Sequence, residues 1–169
     1  VNVSARQLAQ PSLPRRVTRL IAEHQIDPDT LCLELTETAI LQHGKDAERA
    51  LSALKATGIR LQLDDFGSGY SSLALLQRYA VDALKIDRMF VERVARGGKD
   101  EAVVRAVVEL GRALGLEVIA EGVETPLQAR ALARLGCDAL QGYHFGAPMP
   151  SGLVAETVAR GLPGLAWAA

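Results

Sequence analysis

Five short strand-like segments recur along this chain, and in each the polar residues gather on one face towards the C-terminal end. They are residues 31–35 (LCLEL), 59–63 (IRLQL), 83–87 (ALKID), 117–121 (EVIAE) and 139–143 (ALQGY), and a sixth strand is expected to end at 1–3. Helical patterns lie between them. They cover 14–25, 46–57 stopped by Gly58, 71–79, 101–114 stopped by Gly115, and a helix capped by Thr125, opened by Pro126 and stopped by Gly136. Ser, Thr or Asp before a helix and Gly after it are the usual punctuation. Strands alternating with helices imply a parallel sheet.

Successive strand residues face opposite sides. Leu31, Leu33 and Leu35 therefore oppose Cys32 and Glu34, and Ile59, Leu61 and Leu63 oppose Arg60, Gln62 and Asp64. Leu84 and Ile86 oppose Lys85 and Asp87, and Val118 and Ala120 oppose Ile119 and Glu121. A doubly wound open sheet would fit 169 residues comfortably, but it buries both faces under helices and needs both apolar. A TIM-type (β/α)8 barrel needs an apolar outer face and tolerates a polar inner face at its mouth. The parity favours this α/β barrel. A complete one takes about 250 residues, so the chain is expected to be an incomplete C-terminal portion of about six βα units. The missing units are expected on the N-terminal side, before Val1.

Glu34, Asp64, Lys85, Glu121 and Gln141 lie near the C-terminal ends of the five strands, with spacings of 30, 21, 36 and 20 residues. In a barrel such side chains converge at the mouth where active sites sit. Asp65 follows Asp64 at the entrance to a Gly-rich loop, and Asn2 would stand at the same level. Clustered carboxylates repel, and burying them unpaired is costly. A divalent cation resolves both problems, and all-oxygen ligands suit Mg²⁺ or Mn²⁺ better than zinc. Adjacent aspartates let one carboxylate bridge two ions. Paired ions about 3.5–4 Å apart are a device for phosphoryl chemistry. Lys85 beside them could position a water or offset phosphate charge.

Any one of these acids alone is more often a surface ion pair or a cap, and Asp-Asp before Gly is often only a turn. The convergence of five strand ends outweighs those readings. His24, His43 and His144 have no partner at metal-ligand spacing and read as structural. Cys32 and Cys137 read as core residues, Trp167 as a packing residue, and the Gly67/Gly69 pair as a flexible loop. The charge balance, 19 basic against 20 acidic residues, gives no basic surplus for binding a DNA or RNA duplex. Two cysteines fit a reducing compartment. No run of about 18 apolar residues occurs.

The segments 1–4 (VNVS), 34–37 (ELTE), 64–73 (DDFGSGYSSL), 84–87 (LKID), 118–125 (VIAEGVET) and 141–150 (QGYHFGAPMP) are similar to the EAL domain family, bacterial phosphodiesterases of cyclic di-GMP. The resemblance spans nearly all of 1–169, in the family's order and spacing. It implies a modified TIM barrel that opens cyclic di-GMP to linear pGpG with two Mg²⁺ or Mn²⁺ ions. By resemblance Asn2, Glu34 and Asp64 hold the first ion. Asp64 and Asp65 hold the second, with Glu121 as ligand or base. Lys85 contacts the attacking water and Gln141 lies against the metal-bound water or substrate. Glu37 braces the DDFGSGYSSL loop, and Asp87, Glu124 and the Pro148-Met149-Pro150 turn lie near the substrate.

The Glu-Ala-Leu signature and a following Arg are absent from the 169 residues. The resemblance places them on a strand upstream of Val1, so the domain is expected to lack its first strands and helices. The chain alone is expected to be inactive, its parent active. The family further implies a homodimer, sensor or GGDEF domains in the parent, and a cytoplasmic site of action, often on a membrane-bound parent. Two other readings are a catalytically silent module that binds cyclic di-GMP and a dimerising scaffold.

Overall fold

The structure is a computed structural model that describes residues 1–67 and 73–161. It forms two compact units. One comprises Val1–Lys85 with Leu114–Leu116, the other Ile86–Ala113 with Glu117–Ala169. The fold is α/β with five parallel strands in sequence order, as an incomplete TIM-type barrel requires.

In the first unit, α1 (Ala5–Leu8) and α2 (Leu13–Glu23) precede β1 (Cys32–Thr36), α3 (Glu37–Lys55), β2 (Arg60–Phe66) and α4 (Leu73–Arg78). β3 (Ala83–Ile86) follows, and its last residue opens the second unit. β1 and β2 pair in parallel with Leu33 beside Leu61 and Leu35 beside Leu63. These four leucines are buried, and Cys32, Glu34, Arg60, Gln62 and Asp64 alternate with them at half-exposed positions. The expected parity is therefore present. α3 packs on both strands and buries Ile40, Leu51 and Leu54. Each such side chain contributes about 1.5–3 kcal/mol. Residues 1–3 contribute an isolated parallel bridge, Asn2 to Glu34, rather than a full strand.

The helix expected at 46–57 is the second part of α3, after a break at Gly44, whose φ of 44° is non-helical. A first helical stretch from Glu37 precedes it, capped by the Thr36 hydroxyl, which accepts from the Ala39 amide at 3.2 Å. The helix expected at 71–79 is described only from Leu73 to Arg78; Ser71 and Ser72 lie outside the described residues, as do Gly69 and Trp167.

In the second unit, α5 (Arg88–Val91) and α6 (Lys99–Leu114, whose last residue belongs to the first unit) precede β4 (Glu117–Ala120). α7 (Pro126–Leu135), β5 (Ala139–Leu140) and α8 (Ser151–Ala159) follow. β4 and β5 pair in parallel, Ile119 beside Ala139. α7 follows its expectation closely. Thr125 and Gln128 form a capping box, and Gly136 ends the helix at φ 93°. The strand expected at 139–143 stops at Leu140. Gly142 lies so close to Val123 that an added Cβ would meet the Val123 carbonyl oxygen at 2.1 Å, and a turn from Gly142 to Phe145 takes over. Cys32 and Cys137 are half-buried rather than core.

One device occurs in both units. Asp82, just before β3, donates its amide to Leu61 O at 2.8 Å, and its carboxylate accepts from the Leu61 amide at 2.8 Å. Asp138, just before β5, does the same with Val118, at 2.9 Å and 2.8 Å. Lys55 Nζ pairs with Asp82 at 2.7 Å.

Candidate active site

The first unit gathers its acids around one buried cation. Lys85 on β3 is 2% exposed. Its Nζ donates to Glu34 Oε2 on β1 at 2.7 Å and lies 3.4 Å from Asp64 Oδ1 on β2. Glu34 and Asp64 each present an oxygen within 4.8 Å of the other. The register explains the meeting. Glu34 stands beside Gln62 and Thr36 beside Asp64, so the two acids are diagonal neighbours on one face. Backbone bonds flank Asn2: the Glu34 amide donates to Val1 O and the Val3 amide to Glu34 O, both at 2.9 Å. These bonds fix Asn2 beside Glu34.

An extended Asp65 would present its side chain opposite Asp64. Its backbone instead adopts φ 55°, the left-handed region that Asp tolerates better than most residues. This breaks the alternation directly after Asp64, and the Asp65 amide donates to Asp64 Oδ1 at 3.0 Å. Glu37, 4% exposed, accepts from the Gly67 amide at 3.2 Å. It thereby ties the start of α3 to the first residue beyond Phe66. Residues 68–72 of the loop it was expected to brace lie outside the described residues.

The second unit holds Glu121, Gln141, Asp87, Glu124, Pro148 and Met149. The Glu121 amide donates to Ile86 O at 3.2 Å and the Gln141 amide to Ala120 O at 2.8 Å, so both stand at adjacent strand ends. Gln141 is exposed. Asp87 accepts from the Met89 amide at 2.7 Å and caps α5, and Glu124 pairs with Arg88 at 2.7 Å. Leu140, Gln141, Tyr143, Phe145, Pro148 and Met149 line an open groove of about 510 Å³. Apolar and aromatic walls with one amide suit a planar heterocycle that stacks.

Arg88 and Gln128 were not singled out in the sequence. Gln128 was nonetheless visible as the fourth member of Thr125-x-x-Gln128, a capping-box pattern. Arg88 carried no comparable signal.

The oxygen donors fit a hard divalent cation. The Lys85 ammonium between Glu34 and Asp64 marks a position where positive charge is stabilised.

A profile described as EAL domain matches residues 1–148. The chain belongs to the EAL domain family. Among curated relatives, a bifunctional diguanylate cyclase/cyclic di-GMP phosphodiesterase, MucR of Pseudomonas aeruginosa, is 43% identical over 159 residues, covering 94% of this chain and 23% of MucR. An uncharacterised signalling protein of Caulobacter vibrioides is 44% identical over 167 residues, 97% of this chain and 20% of that protein. The chain thus spans about a fifth to a quarter of these relatives' length. Among solved structures, the EAL domain of Mycobacterium smegmatis DcpA superposes with a TM-score of 0.89 at 37% identity, covering 95% of this chain and 72% of that one. The MucR phosphodiesterase bound to c-di-GMP gives 0.84 at 43%, covering 90% and 62%. Klebsiella pneumoniae BlrP1, bound to manganese and cyclic di-GMP, gives 0.82 at 33%, covering 88% and 38%. No helix of the described residues is long and apolar enough to cross a membrane.

Proposed function

We propose that this chain belongs to the EAL domain of a phosphodiesterase that hydrolyses cyclic di-GMP to linear pGpG with two divalent cations, Mg²⁺ or Mn²⁺. The observation that carries the reading is the buried Lys85 set against Glu34 and Asp64, a charged constellation that a purely structural strand face has no need to keep. Asn2, Glu34 and Asp64 would hold the first ion, and Asp64 and Asp65 the second, with Glu121 as ligand or base. Such ions supply an activated water and stabilise the leaving oxygen. Lys85 offsets the charge of the two carboxylates and would contact the incoming water. Gln141 offers an amide beside Glu121 to water or substrate. The groove ending at Pro148 and Met149 receives one guanine. Asp87, which caps α5, and Glu124, paired with Arg88, would lie near the substrate. Glu37 holds the entrance to the 68–72 loop.

On this reading the domain acts in the cytoplasm, as a homodimer, within a parent that carries GGDEF or sensor domains and is in some cases membrane-anchored. MucR, whose name joins a diguanylate cyclase to a phosphodiesterase, supports a two-domain parent. The absence of Glu-Ala-Leu from the 169 residues favours a second reading for the chain by itself, binding of cyclic di-GMP without cleavage.

The test is incubation of the chain, and of a domain completed with a Glu-Ala-Leu strand, with cyclic di-GMP and Mn²⁺. Glu121→Ala serves as control. The completed domain is expected to yield pGpG, and its Glu121→Ala variant none. Tight binding without turnover by the completed domain would replace the enzyme reading with a sensor, and no binding would leave a scaffold.

A further inference from the structure

We propose that Gln128 is a positioning residue, which brackets the Glu121–Thr125 turn against α5 and so holds Glu121 and Glu124 in place for the phosphodiesterase reaction. The inference rests on the function proposed above. Gln128 is 7% exposed, a buried amide outside the acid constellation. In a capping box the N3 side chain accepts from the N-cap amide alone. Here Gln128 Oε1 accepts from two consecutive amides, Thr125 at 2.9 Å and Glu124 at 2.8 Å. Glu124 precedes the cap and is no part of the helix. The Gln128 Nε2 donates to Glu92 O at 3.2 Å, the residue that ends α5.

α5 grips the same turn with its first residue. Arg88 pairs with Glu124, and its stem lies over Gly122, where an added Cβ would come within 2.5 Å of Arg88 Cγ. From the other side the Val123 amide donates to Gln141 O, and the His144 amide to Val123 O, both at 3.0 Å. Glu121 itself is pinned by Ile86 O. The turn that carries both acids is therefore fixed at nearly every residue, and Gln128 is the group whose removal leaves two adjacent amides without their acceptor. Helix capping alone requires only one of those bonds.

Gln128→Met removes all three bonds, two to the turn and one to Glu92 O, at nearly equal volume. Gln128→Asn, one methylene shorter and still polar, serves if the Met variant does not fold. Gln128→Glu keeps the acceptor for the two turn amides and loses the bond to Glu92 O, so it restores the turn bonds alone. Thr125→Val breaks the cap hydroxyl's bond and leaves the Glu124 bond alone. In the 169-residue chain, amide exchange at Glu124 is expected to quicken about tenfold in Gln128→Met and to stay near the native rate in Gln128→Glu and Thr125→Val. In the completed domain, Gln128→Met is expected to lower kcat about tenfold with KM within about twofold, more than Thr125→Val does at equal melting temperature. Unchanged exchange at Glu124, or a kcat loss no larger than that of Thr125→Val, overturns the proposal. A native completed domain that turns over no cyclic di-GMP overturns the enzyme reading instead, and exchange then decides the bracket alone.

Discussion

The two units hold their acidic residues by different means. In the first, Glu34 and Asp64 sit against a buried ammonium, and charge answers charge. In the second, one half-exposed ion pair, Arg88 with Glu124, joins a turn held mainly by backbone and side-chain amides and by two glycines that let other groups approach. The difference follows from what each must fix. Two half-buried carboxylates within 4.8 Å of each other repel, and a cation between them offsets that repulsion. A turn needs its backbone donors satisfied and its φ angles allowed, which hydrogen bonds and glycine supply without charge.

Substitutions should therefore fail differently in the two units. The largest effect is expected for Gly142→Ala. Its Cβ would meet Val123 backbone atoms at 2.1 and 2.3 Å, which no side-chain motion relieves. A loss of about 4 kcal/mol, read from denaturant melts, is expected; a loss below about 1 kcal/mol would mean that the second unit is not closely packed there. Lys85→Met comes next, at about 3 kcal/mol, because it leaves two acids with a lost counter-ion. Added Mn²⁺ should recover much of that stability, and failure to do so would argue against a cation site at Glu34 and Asp64. Gly122→Ala is expected to cost about 2 kcal/mol, since φ there is 68° and the clash reaches Arg88 Cβ at 2.8 Å as well as Cγ and Cδ. Arg88→Ala in the same chain should relieve the Cγ and Cδ part of the clash and leave the Cβ contact and the backbone strain.

The smallest effect concerns Cys137. Burial foremost, then the Asp138 charge, pushes its thiol up to about 12. The folded state keeps a proton that an unfolded thiol releases above about pH 8.5, so its stabilising effect is complete below that pH and is lost as pH rises towards 12. At pH 8, iodoacetamide followed by mass spectrometry should label Cys137 slowly in the folded chain and fully in denaturant.

The strand faces, the capped helix after Thr125 and the acids at the strand ends were legible because each depends on local spacing. The alternation in 31–35 and 59–63 fixes which side chains share a face whatever surrounds them. Boundaries set by distant contacts were not legible. β5 ends early because Gly142 meets Val123, 19 residues away in sequence. The helical stretch from Glu37 to the Gly44 kink was not legible, because Thr36 starts it and its buried face rests on β1 and β2. At the site, the acids were visible by type. The two-fold use of Gln128 was not, because a capping-box pattern does not reveal that its amide also reaches Glu124.

Asp82 and Asp138 are not themselves candidate site residues, yet each stands three positions before one: Lys85 on β3 and Gln141 just beyond β5. Their partners Leu61 and Val118 stand three before Asp64 and Glu121. Both clasps thus work as a zero mark from which neighbouring strands are counted. A slip of one residue would turn Lys85 to the opposite face of its strand and carry Gln141 away from Ala120. The alignment of the chemistry at one end of each strand pair is set by a carboxylate at the other.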